Sequence, residues 1–139
     1  MYAIIKIRGS INTAPKVKTT FDLLNLTRSN HLSIWPEDSS RLKMLKKVEG
    51  YATFGVINDD VLKELLEKKG NFIEGSDAKK AFAALKEGKT PKEAGIKNCF
   101  RMNPPRKGYE RKGVKKPYTL GGALGFRGEK INDLILKMM

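Results

Sequence analysis

Seven cations fall within one stretch of the chain, residues 101–118 (RMNPPRKGYERKGVKKPY): Arg101, Arg106, Lys107, Arg111, Lys112, Lys115 and Lys116. One acid, Glu110, opposes them. Guanidinium and ammonium groups at this density neutralise phosphates and release the counterions around them. Tyr109 and Tyr118 can stack on bases or sugars, and the glycines let the backbone approach closely. A run of charge is usually a solvated face. Here prolines and glycines limit the freedom of the segment and acids are nearly absent, so nucleic-acid contact is the better reading.

A second group combines Arg28, Asn30 and His31 with Arg41, Lys43, Lys46 and Lys47, the last four on the outer face of an expected helix. His31 is the only histidine. Without a base or metal partner it suits a strand-start hydrogen bond or an RNA contact, not catalysis. The stretch 121–128 (GGALGFRG) is glycine-rich but lacks the Gly-Lys-Ser/Thr of a nucleotide-binding loop, and a basic loop, not a buried strand, precedes it. It reads as a turn before the last helix, where Arg127 could assist a backbone contact to phosphate. Cys99, the single cysteine, reads as a small core residue; alone it forms neither an internal disulfide nor a cysteine-based zinc site. The acidic pairs Glu37-Asp38 and Asp59-Asp60 fall at helix starts. No active site, metal site, cofactor or small-molecule substrate is expected.

The elements that must position these side chains are legible from periodicity. Tyr2 to Arg8 alternates as a strand, with Ala3, Ile5 and Ile7 on one apolar face. Thr13 is placed to cap a helix opened by Pro15, in which Val17, Phe21 and Leu24 form a stripe. His31–Trp35 is a second strand that Pro36 stops. Asp38 can cap a helix over 39–48 that buries Leu42, Leu45 and Val48. Tyr51–Ile57 is the third strand, rich in aromatic and β-branched residues. Asn58 caps a helix with Val61, Leu62, Leu65 and Leu66 inside. Another starts at Ser76 with Ala81, Phe82 and Leu85 inside. Thr90-Pro91-Lys92-Glu93 is a capping box. Residues 99–102 suit a short strand, and 129–139 a final helix with Ile131, Leu134, Ile135 and Met138 on one face.

The charge is distributed to match. The 139 residues hold 28 basic and 15 acidic side chains, a net of +13. Residues 1–57 have nine basic and four acidic residues, 58–95 eight of each, and 96–139 eleven and three. A neutral middle therefore separates a basic front from a strongly basic rear. Such a body repels itself unless a polyanion neutralises it. No apolar run is long enough to cross a membrane, and residues 1–20 carry Lys6 and Arg8 where a signal peptide would be apolar, so a cytoplasmic protein is expected.

These segments resemble a known family. LLNLTRSNHLSIWPED at 23–38, MLKKVEGYATFGVINDDVLKELLEKKG at 44–70 and NPPRKGYERKGVKKPYTLGGALGFRGEKINDLILKMM at 103–139 are similar to the large-ribosomal-subunit protein numbered thirty in bacteria and archaea and seven in eukaryotes. The whole-chain match is to the archaeal form; the bacterial form would stop near residue 57. The resemblance implies an α/β fold of the α+β type: a ferredoxin-like β-α-β-α-β core (1–57) with helices on a three-stranded antiparallel sheet. A helical extension with the basic loop (58–139) would pack with it as one unit. It further implies a structural component of the large subunit that binds ribosomal RNA near the 5S RNA, beside neighbouring ribosomal proteins, with no activity and no cofactor. The positions that carry over are the Arg28–His31 turn, Arg41, and Arg106 with the basic loop after it. Two other functions compete. A ligand-sensing regulatory domain would need an apolar pocket with a few polar groups, which the sequence does not offer. An extra-ribosomal RNA chaperone would share the electrostatics and differ in selectivity.

Overall fold

The computed structural model describes residues 1–73 and 76–139. Its centre is the first strand, β1 (Tyr2–Lys6), whose alternation sends Ala3 and Ile5 to one side and Ile4 and Lys6 to the other. Both sides are buried, so helices must cover both faces of the sheet. Strands β2 (His31–Trp35) and β3 (Ala52–Val56) flank β1, both antiparallel; Ile4 lies opposite Ser33 on one side and Phe54 on the other.

The expected three-stranded sheet is incomplete. Two short strands extend it: β4 (Phe100–Arg101) pairs antiparallel with β2, and β5 (Gly125–Phe126) pairs parallel with β3. The order is β4-β2-β1-β3-β5. The physical reason is the exposed edge: β2 and β3 each present unpaired backbone groups outward, and a two-residue segment suffices to cover part of such an edge. β4 lies within the short strand expected over 99–102, whereas β5 is too short to display a period. Beside β4 the buried Asn98 extends the pairing with its side chain, accepting from Ile34 N and donating to Ile34 O, both at 2.8 Å.

On one face lie α1 (Pro15–Leu23) and α2 (Ser39–Val48), which bury Phe21, Leu45 and Val48 against Ile4 and Phe54. On the other lie α3 (Asp59–Lys69), α4 (Ala78–Lys86) and α5 (Ile131–Met138). Leu62, Leu65, Leu85, Leu134 and Ile135 share one apolar cluster there with Ala3 and Ile5. The periodicity of α3 and α5 is realised as expected, and Glu93 Oε2 accepts from Thr90 N at 2.9 Å in the capping box. Other details differ: Asp38 and Asn58 stand at the cap positions of α2 and α3, but their side chains make no cap hydrogen bond. Thr13 does not cap α1: its hydroxyl is buried, and Ala14 stands at the cap position ahead of Pro15. Leu42 is 37% exposed, because α2 turns only Leu45 and Val48 fully inward. The fourth helix begins at Ala78, two residues later than expected. Among the described residues no helix is long and apolar enough to cross a membrane.

Candidate nucleic-acid interface

The interface is built at one end of the sheet. β1 ends there at Lys6, β2 begins there at His31, and the pairing of His31 with Arg101 puts the end of β4 beside them. β3 begins at the same end, since Ala52 pairs with Lys6, and β5 with it, since Thr53 pairs with Gly125. The segment between Arg101 and Gly125 therefore leaves one edge of the sheet and rejoins it at the other edge. It must run across the sheet end, carrying the basic loop over the 25–30 turn. Ile7, just past β1, packs there against Ala123 and Leu124, with Tyr109 and Val114 alongside.

Lys6 organises the turn beneath the loop. The residue is only 1% exposed. Its Nζ donates to Leu26 O and Thr27 O, each at 3.0 Å, and to Ser10 Oγ at 2.6 Å, and it lies 4.3 Å from the Phe21 ring centre. Burial lowers its pKa, while Asp22 pulls in the opposite direction. The turn needs left-handed backbone at Asn25 (φ 58°) and Asn30 (φ 62°), a conformation that asparagine tolerates better than most residues. Asn30 N donates to Lys6 O at 2.7 Å, and Tyr109 Oη donates to Asn30 Oδ1 at 2.6 Å. That last bond fastens the basic loop to the turn. Burial raises the Tyr109 phenol, against the pull of Arg127, so it stays a donor at neutral pH.

Arg127 is placed differently from the expectation. It is buried, and its guanidinium donates to Thr53 Oγ1 (3.0 Å), Ala123 O (3.1 Å) and Glu110 Oε1 (2.8 Å). Thr53 Oγ1 in turn donates to Gly125 O at 2.8 Å. The same guanidinium sits 4.6 Å from the Tyr118 ring centre. Arg127 thus ties β5, β3 and the loop together, and one face of Tyr118 is already occupied. Further backbone bonds hold the loop at both ends, from Arg106 N to Lys137 O and from Leu124 N to Lys116 O. Lys107 takes a left-handed conformation (φ 66°) in the turn closed by Gly108 N and Pro105 O.

His31 lies at the turn's end, its Nδ1 3.4 Å from both Thr27 Oγ1 and Cys99 Sγ. Its pKa is lowered, first by burial, then by Arg101, Arg28 and Lys6, so the ring is neutral near pH 7. Cys99 departs from the core role expected of it: it is half-buried and faces His31, and burial pushes its thiol up against the opposing effect of Arg101 and Lys97.

The structure brings Arg28, Asn30, His31 and Arg101 together with the loop. Lys46 and Lys47 are exposed in the last turn of α2, which runs toward the start of β3 and so toward the same end; Lys43 is exposed one turn earlier. Arg41 is apart. Its guanidinium stacks 4.1 Å from the ring centre of Trp35, at the far end of β2 from His31. Sequence reasoning missed Lys6, Asn25, Asn71 and Lys97, which line or support this end. Only the asparagines at left-handed turn positions carried a signal for it.

Ion pairing is richer in the neutral middle than on the basic surface. In the neutral middle Lys68, Lys80, Lys86 and Lys89 each meet a carboxylate, of Glu64, Asp77, Asp59 and Glu87, while Lys63, Lys69, Lys79 and Lys92 form no ion pair among the described residues. Arg28, Lys43, Lys46, Lys47, Arg101, Arg106, Lys107, Arg111, Lys112, Lys115 and Lys116 are exposed and, among the described residues, form no ion pair.

Fold and charge together define the class: a small α+β protein with one end of its sheet covered by unpaired cations. The model of the ribosomal protein L30p/L7e family matches residues 2–51. The large ribosomal subunit protein uL30 of Nanoarchaeum equitans is 44% identical over 151 aligned positions, which cover 99% of this chain and 97% of that protein. The proteins of the same name from Methanosphaera stadtmanae and Staphylothermus marinus are 40% and 38% identical, the former over the full length of both chains. The chain belongs to the ribosomal protein L30p/L7e family.

Proposed function

We propose that this protein is a structural constituent of the large ribosomal subunit that binds and stabilises ribosomal RNA in translation. Its role is non-enzymatic. The observation that carries the reading is the convergence of exposed, unpaired cations on the sheet end, the turn, the outer face of α2 and the loop, where the loop's one acid, Glu110, is already taken by Arg127. Arg28, Arg101, Arg106, Lys107, Arg111, Lys112, Lys115 and Lys116 neutralise phosphates, with Lys43, Lys46 and Lys47 extending the surface along α2. Asn30 and His31 supply polar groups between them. Tyr109, Tyr118 and Arg127 act by holding the loop in place, and Arg41 by its stack on Trp35. Segments 1–57 and 58–139 work as one unit in this reading, supported by the apolar cluster in which Ala3 and Ile5 meet Leu65 and Ile135. Location in the cytoplasm follows from the ribosomal role. Placement near the 5S RNA, and beside neighbouring ribosomal proteins, rests on the family likeness.

The test is sedimentation. The tagged protein is expected to travel with the large subunit at moderate salt and to leave it at high salt. A protein that stays in the free fraction at moderate salt overturns the proposal.

A further inference from the structure

An open cleft of about 590 Å³ lies between the 25–31 turn and the segment leading into β4. His31 and Cys99 form part of its wall; Asn25 and Asn71 bring carboxamides to it, and Arg101 and Lys97 bring positive charge. A second opening, bounded by Arg28, Ser29 and Asn30, shares Thr27, His31 and Arg101 with the first. The two thus border the same three residues. Among the described residues, the side chains of Asn25, Asn71, Lys97 and Arg101 make no hydrogen bond within the chain, so their donors and acceptors remain free.

This set differs from the rest of the basic surface. Phosphate contacts need only charge, and the loop supplies it. Carboxamides and a neutral imidazole add donors and acceptors that suit a base edge, while the imidazole and guanidinium planes offer stacking surfaces for an unstacked base. Asp22 also lines the cleft. Its carboxylate repels a phosphate there but accepts a hydrogen bond from an exocyclic amine, which orients a nucleotide base-inward. The size falls within the range of small-molecule sites, which run from about 300 to 1,000 Å³.

We propose that this cleft receives a single unstacked nucleotide of the bound RNA, its base between His31 and the carboxamides of Asn25 and Asn71, its phosphate at Arg101 and the next at Arg28. The proposal rests on the RNA-binding reading above and adds a readout of an extruded base to it.

Cys99, the only cysteine, is a native reporter at the wall of the cleft. Its alkylation by a small maleimide is followed by mass spectrometry on the full chain. The probes are a perfectly paired RNA hairpin and four matched hairpins, each with A, C, G or U bulged out. Binding of each is measured separately by fluorescence anisotropy. At least one bulged hairpin is expected to slow alkylation about tenfold when present at about nine times its Kd, while the paired hairpin leaves the rate nearly unchanged. His31→Ala and Asn71→Ala should each shrink this difference several-fold; Asn71 is exposed, so its variant does not depend on refolding of the turn.

Equal protection by all five RNAs, or none despite measured binding, overturns the proposal and leaves the RNA-binding reading standing. Full retention of the bulge preference in both variants also overturns it. Failure of all five RNAs to bind overturns the proposal too, while sedimentation with the large subunit decides the reading beneath it.

Discussion

The alternation of β1 turns Lys6 inward, where a charged amine is costly unless its donors are used. Here it stabilises a turn whose carbonyls would otherwise lie unpaired beneath the loop. Lys6→Met keeps most of the packing volume and removes the donors to Leu26 O and Thr27 O. The expected loss is about 2 kcal/mol, the cost of leaving buried acceptors unsatisfied, read from urea denaturation. Unchanged stability would mean that these carbonyls find other partners. His31 gives a pH prediction. Its folded-state pKa lies below the ordinary value of 6.5, so the unfolded chain takes up the proton first as pH falls. The contribution of His31 to stability is therefore complete above 6.5 and lost as pH drops through the lowered folded value. The stability difference between wild type and His31→Gln should shrink between about pH 7.5 and about pH 5. A difference that stays constant or grows would contradict the assignment.

At the scale of elements, Gly55 shows why β3 can carry both β5 and the final helix. A Cβ at this position would meet the carbonyl oxygen of Gly128 and, at 3.0 Å, the Ile131 side chain. Gly55→Ala must push the turn at 128–130 and the start of α5 away from the sheet. We expect a loss of about 1–3 kcal/mol, with the transition still cooperative, measured by thermal unfolding. A neutral result would show that this contact yields easily. The helices and the three central strands were legible because each repeats its apolar positions long enough to display a period of 3.6 or 2. β4 falls within the short strand expected over 99–102, though its place beside β2 was not legible, and β5 was not legible at all, because two residues show no period and only the open edge of β3 requires it. Leu42 stays partly in solvent because an apolar residue near the edge of a stripe need not reach the core. Arg127 looked available for the opposite reason. Nothing local reveals that Thr53, Glu110 and Ala123, which are distant or unremarkable in sequence, converge on its guanidinium.

At the scale of the molecule, the net charge of +13 is an uneven surface rather than a uniform coat. The composition of the loop made it legible as a polyanion site. That it crosses the sheet end and meets the Arg28–His31 turn was not legible, because this depends on β5 returning to the far edge. The geometry makes the whole end one electrostatic unit, so its binding should follow counterion release. With six to eight phosphate contacts, log K against log salt should fall with a slope of about −5 to −7. Replacing Arg106, Lys107, Arg111 and Lys112 with alanine should reduce that slope by about 3 units if most of the four meet phosphates. All four side chains are exposed and unpaired among the described residues, so thermal unfolding of the isolated protein should move by only about 2 °C or less. The two measurements belong together. A flat salt response in the wild type would remove the electrostatic reading of the surface. A collapse of folding in the quadruple variant would show that these residues maintain the loop, as Tyr109 and Arg127 do, and leave the phosphate contacts to the turn and α2.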